Sequence, residues 1–176
     1  MIVEDGSGLA DSNSYCDIEF ADTYFAERGR LDGWPTDDAG KEYALIKATD
    51  YIEMKYGYVF IGYKNSSKQA LSWPRKDAVT NNGTVYASNE IPLKLKRACC
   101  EYAINAYAQD LMPQPEVDSS GYVAFVTKEK VGPIETRFAE SSANNYLSGG
   151  YIQYPTADRY MNDLILTTNK QMTCVR

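Results

Sequence analysis

Asp38-Ala39-Gly40-Lys41-Glu42-Tyr43-Ala44-Leu45-Ile46-Lys47-Ala48-Thr49-Asp50-Tyr51-Ile52-Glu53-Met54-Lys55-Tyr56 carries a helical period. Leu45, Ala48, Ile52 and Tyr56 recur at three- and four-residue steps, which places them on one face of an α-helix. Lys41, Glu42, Lys47, Asp50 and Glu53 fill the other side. Asp37 is the expected N-cap and Gly57 the stop, so the spacing predicts a helix over 38–56.

Working outward, a helix over 18–28 is expected upstream. Asp17 would cap it, Gly29 would occupy the position just past its end, and Ile18, Ala21, Phe25 and Tyr24/Arg28 would form its stripe. Gly33-Trp34-Pro35-Thr36 reads as a turn. Downstream, Ile91-Pro92 opens a helix over 92–111, with proline where a missing N–H costs nothing. Leu95, Cys99, Tyr102, Ala103 and Ala106 are its expected buried face, and Met112-Pro113-Gln114-Pro115 stops it.

Between these helices, Tyr58-Val59-Phe60-Ile61-Gly62 crosses to a polar loop at 65–68. Gln69-Ala70-Leu71-Ser72-Trp73-Pro74-Arg75 follows. Pro74 biases Trp73 towards extended backbone, so Trp73, Pro74 and Arg75 are read as a structural anchor, the indole packed on the second and third helices.

Beyond the third helix the period changes. Residues 122–127 read as a strand, and Ile134, Thr136 and Phe138 alternate with Glu135 and Arg137 after Gly132-Pro133, which suggests a β-hairpin or bent ribbon. Residues 141–150 are rich in Ser, Asn and Gly. A short last helix is expected over 156–166, and a loose tail over 167–176. The predicted fold is therefore mainly α: a small bundle of three main helices plus a short C-terminal helix, with a β-hairpin or ribbon and an extended C-terminal arm. Residues 1–138 form the expected bundle domain and 139–176 the arm. Tyr146, Tyr151, Tyr154, Tyr160, Leu164 and Ile165 would be the arm's interface groups, ordering when a partner buries them.

Composition narrows the function classes. The 176-residue chain has 44 % hydrophobic and 24 % charged residues, inside the globular range. No apolar run approaches the roughly 20 residues that span a bilayer, so no membrane partner is expected. Neither is a secretory leader, since the acidic start lacks a basic region before an apolar one. With no histidine, the commonest general base, the Ser-His and Cys-His nucleophile pairs and the usual zinc sets are all missing. Non-enzymatic action, without metal or cofactor, is the expectation. Cys16, Cys99, Cys100 and Cys174 read as reduced thiols.

The net charge is −6. Residues 1–40 hold ten acids against Arg28 and Arg30, a balance of −8, which leaves +2 for residues 41–176. This is not the footprint of a general nucleic-acid binder, although a repelling wall suits a passage for DNA. Lys94, Lys96 and Arg97, in the first turns of the third helix, are candidate groups for an acidic partner. Fifteen tyrosines suit protein interfaces.

Several motifs occur in a familiar order. Met1-Ile2-Val3-Glu4-Asp5-Gly6-Ser7-Gly8 leads through Ala10-Asp11-Ser12-Asn13-Ser14-Tyr15. Ala21-Asp22-Thr23-Tyr24-Phe25 and Leu45-Ile46-Lys47-Ala48-Thr49-Asp50-Tyr51-Ile52 come next, then the Trp73-Pro74-Arg75 segment and Ile91-Pro92. Over about residues 1–138 the sequence resembles the head–tail connector (adaptor) proteins of tailed bacteriophages. Their relatives include chains catalogued as DnaT-like single-stranded-DNA-binding proteins.

The resemblance implies a structural virion protein, made in the host cytoplasm and sited at the head–tail interface. Copies would form a ring of about twelve subunits beneath the portal protein, meeting a tail-side stopper or nozzle protein, with double-stranded DNA passing through unbound. It implies no catalytic residues. The alternative is a single-stranded-DNA-binding replication protein, which normally needs a basic groove lined by stacking aromatics.

Overall fold

The computed structural model describes residues 1–112, 128–131, 134–137 and 152–166. The fold is mainly α, as expected. Helices α1 (Ile18–Ala26), α2 (Asp38–Tyr56), α3 (Leu93–Ala108) and α4 (Pro155–Met161) are joined by two short antiparallel ribbons. One ribbon pairs β1 (Tyr63–Lys64) with β2 (Arg75–Lys76); the other pairs β3 (Lys128–Val131) with β4 (Ile134–Arg137).

The helix ends follow from local chemistry. The Asp17 carboxylate accepts from Phe20 N at 2.7 Å, and Asp37 accepts from Gly40 N at 2.7 Å, so each satisfies a donor the helix leaves open. α1 stops at Ala26, two residues before the expected end. Arg30 N bonds Phe25 O at 2.9 Å and Gly29 N bonds Ala26 O at 3.1 Å, the paired closure of a Schellman motif with Gly29 at φ 60°. α3 ends at Ala108 rather than 111.

α2 and α3 make the centre of the core. Ala44, Leu45, Ala48, Tyr51, Ile52 and Tyr56 of α2 are buried, as are Leu95, Ala98, Cys99, Tyr102, Ala103 and Ala106 of α3. Each fully buried Leu or Ile contributes about 1.5–3 kcal/mol. Cys16, Cys99 and Cys100 are free thiols in this interior, with Cys16 Sγ 3.9 Å from Cys100 Sγ. Arg30 reaches back to Glu101 on α3, donating to both carboxylate oxygens at 2.8 Å, and Tyr24 donates to the same group at 2.7 Å.

The N-terminal motif folds around a buried acid. Glu4 accepts from Gly6 N at 3.0 Å, Gly8 N at 2.9 Å, Leu9 N at 3.0 Å and Ser12 Oγ at 2.9 Å. Four donors offset the cost of taking this carboxylate out of water. Gly6 has φ +100°, and a Cβ there would lie 2.0 Å from Asn89 O, so only glycine fits.

Two compact units partition the chain: Met1–Gln109 with Tyr154–Arg176, and Asp110–Gln153. The second contains the β3–β4 hairpin, whose register pairs Val131 with Ile134. The expected strand at 122–127 lies outside the described residues. Residues 154–166 pack on the bundle instead of standing off it as an arm: Ala157, Met161 and Leu164 are buried. Their helix is one short piece, Pro155–Met161, followed by a turn. Ile165 then bridges Phe60, with Ile61 N bonded to Leu164 O at 3.0 Å and Leu166 N to Val59 O at 2.7 Å. Apolar burial outweighs ordering cost here because the segment is tied at both faces. Residues 139–151 and 167–176 of the expected arm lie outside the described residues.

Candidate nucleic-acid interface

From Met54 to Lys76 the sequence holds five bases, Lys55, Lys64, Lys68, Arg75 and Lys76, and no acid. In a chain of net −6 this is a strong local excess. The same 23 positions include Tyr56, Tyr58, Phe60, Tyr63 and Trp73.

The fold buries half of these groups and presents the rest. Gly62 lets the chain turn tightly: at φ +71°, a Cβ there would meet Lys76 O at 2.5 Å. That approach sets the β1–β2 register, in which Tyr63 lies opposite Lys76 and Lys64 opposite Arg75. Directly opposed residues share a face of the ribbon, so Tyr63 and Lys76 stand together. Both are exposed, Tyr63 at 68 % and Tyr58, in the turn after α2, at 79 %. Lys64 and Lys68 are also exposed. Asp77, directly after the ribbon, sits at φ 55° and bounds the basic surface.

Arg75 plays a different part. Its guanidinium donates to Ile61 O and Gly62 O at 2.7 Å, Ser72 O at 3.3 Å and Phe60 O at 3.4 Å. Burial pushes its pKa down, opposed by the charges near Tyr15 and Glu53. It braces the ribbon and is not presented to solvent. Gln69 braces the intervening loop, accepting from Ser66 N at 2.7 Å and donating to Leu71 O and Pro74 O at 2.9 and 3.0 Å. Trp73 is fully buried, with Phe60 and Tyr86 packed edge-on at 6.0 and 5.7 Å, and Pro74 joins it through a cis peptide. Glu53 ties this segment to α2 by accepting from Ser72 N, Ser72 Oγ and Tyr15 OH.

Lys55 is held differently again. Asp158 of α4 accepts from Lys55 Nζ and Tyr56 OH at 2.7 Å, from Tyr102 OH, and from Tyr154 N at 2.9 Å. Burial alone would raise the Asp158 carboxyl, but donation from Lys55, Tyr102 and Tyr56 outweighs it and holds the group below the ordinary carboxylate range. Burial, reinforced by that carboxylate, pushes the Tyr56 and Tyr102 hydroxyls far up.

A family model described as "Putative DnaT-like ssDNA binding protein" matches residues 1–176. The chain belongs to that family. No curated protein and no solved structure matches it.

The sequence-predicted partner-binding residues fall in several environments. Lys94 is paired with Asp163, Lys96 sits 5.7 Å from the centre of the Phe20 ring, and Arg97 is half-buried. Tyr154 and Leu164 are buried within the bundle, while Tyr160 and Ile165 are half-buried. Tyr146 and Tyr151 lie outside the described residues. Among the described residues, no group of three or more His, Cys, Asp or Glu is placed to hold a metal ion, and no helix is long and apolar enough to cross a membrane. The acid-free run 54–76 does not show in the balances of −8 over residues 1–40 and +2 over residues 41–176. A sliding window would have found it.

Proposed function

We propose that this protein binds single-stranded DNA through the exposed face of residues 54–76. One observation carries the reading: Tyr58, Tyr63, Lys64, Lys68 and Lys76 are all solvent-facing on a braced, acid-free stretch. Tyrosine faces stack on bases without sequence preference, and lysines neutralise phosphates. The family's description supports the same function. The protein's negative charge keeps the binding weak at physiological salt. No catalytic step is assigned to it.

Fluorescence anisotropy with a labelled oligothymidylate tests this. Three exposed lysines predict a log–log salt slope of about −2. Replacing Lys64, Lys68 and Lys76 together with Ala should abolish binding at low salt, and Tyr63→Ala should weaken it by about 1–3 kcal/mol. Undetectable binding by the wild type at low salt, or binding indifferent to these changes, overturns the reading.

A second reading, the head–tail connector, is favoured by the order of the N-terminal, Trp73-Pro74-Arg75 and Ile91-Pro92 motifs and by the −8 balance of residues 1–40. In it, copies form a ring in the virion between the portal and a tail-side protein, and the acidic face repels the DNA passing through. Native mass measurement separates the two. A ring-sized oligomer, alone or on a portal, with no oligothymidylate binding selects the connector, whereas a small oligomer that binds the strand selects the first reading.

A further inference from the structure

The C-terminal segment 154–166 brings its own carboxylates to lysines at the border of the basic stretch. Asp158 is seated on Lys55, the first base of residues 54–76, and Asp163 on Lys94. The segment also runs along the base of that stretch, through the Phe60–Ile165 bridge and the two backbone bonds to Val59 and Ile61. Lys94 itself borders the same region, since its partner Asp163 directly precedes Leu164, whose carbonyl accepts from Ile61 N at 3.0 Å.

We propose that segment 154–166 is a built-in competitor for nucleic-acid phosphate, its two carboxylates occupying lysines that a bound strand would otherwise engage. This rests on the single-stranded-DNA reading of residues 54–76. A carboxylate that accepts from one ammonium and two phenolic hydroxyls, as Asp158 does, is in a setting a phosphate oxygen would also satisfy. Asp163 is the more easily displaced of the two. It and Lys94 are both half-exposed, where an ion pair contributes little, so exchange for a phosphate costs the fold little. Asp158 lies deeper and holds the segment in place. The strand therefore meets its first three lysines freely and gains a fourth only by displacing Asp163.

Asp163→Asn tests this in the full-length chain, with Asp32→Asn, an exposed site on the loop between α1 and α2, as a control for net charge. The Asp163 variant should bind oligothymidylate about threefold or more tightly at low salt, with a salt slope steeper by about 0.7. Asp32→Asn should leave both within error. In the wild type, added oligothymidylate should speed amide exchange over 162–166. Wild-type binding with an Asp163→Asn gain no larger than that of Asp32→Asn overturns this inference and leaves the DNA reading standing. So does exchange over 162–166 that slows on binding. Absence of binding in every chain overturns both.

Discussion

Lys55 Nζ lies 2.7 Å from Asp158 Oδ1, across 103 positions of sequence. This pair joins the last turn of α2 to the first turn of α4 and recruits the Tyr56 and Tyr102 hydroxyls around one carboxylate. It makes residues 154–166 a working part of the bundle.

Asp158→Asn should therefore cost about 2–3 kcal/mol in urea denaturation, by leaving a largely buried ammonium without its counter-charge. The effect depends on pH. Asp158 is held below its usual value in the folded protein and returns to about 3.9 on unfolding. Its stabilisation is thus full above about pH 4 and lost as pH falls through the folded value. The wild type should lose stability on acidification more steeply than Asp158→Asn. Parallel curves would show that the pair contributes nothing.

Arg75→Lys should be far from conservative. One ammonium cannot replace a planar group that donates to Phe60, Ile61, Gly62 and Ser72 carbonyls. Stranded carbonyls predict a loss of about 2–4 kcal/mol. A midpoint equal to wild type in thermal melts would refute the bracing role.

Trp73→Ala should cost about 3–5 kcal/mol, since the indole is fully buried against Phe60 and Tyr86. Trp73→Phe should retain most of that, because the indole N–H has no partner among the described residues and nothing polar is stranded by its loss. Equal losses for the two variants would count against this packing account.

Much of the helical architecture was legible locally. The caps at Asp17 and Asp37, the Gly29 closure and the Leu45–Ala48–Ile52–Tyr56 stripe depend on neighbours within a few residues, and sequence spacing reports those directly. The β1–β2 ribbon was not legible. It is two residues per strand, too short for alternation to register, and exists because Gly62 permits a close approach and Arg75 gathers carbonyls from four earlier residues. The candidate interface was half legible: its charges stand in the sequence, but only the tertiary structure separates the bracing Arg75 and paired Lys55 from the presented Lys64, Lys68 and Lys76.

By itself, then, the sequence determined what nearest-neighbour chemistry controls: which segments are helical, where they stop, and which side of each is apolar. Tertiary structure decided the fate of residues 154–166. Tyr154, Met161 and Leu164 look equally sticky whether they await a partner or a groove in their own bundle. The choice depends on whether a matching surface exists elsewhere in the chain. Here α2 and α3 supply one, with Lys55, Tyr56 and Tyr102 converging on Asp158, a complementarity between distant positions that no local pattern encodes.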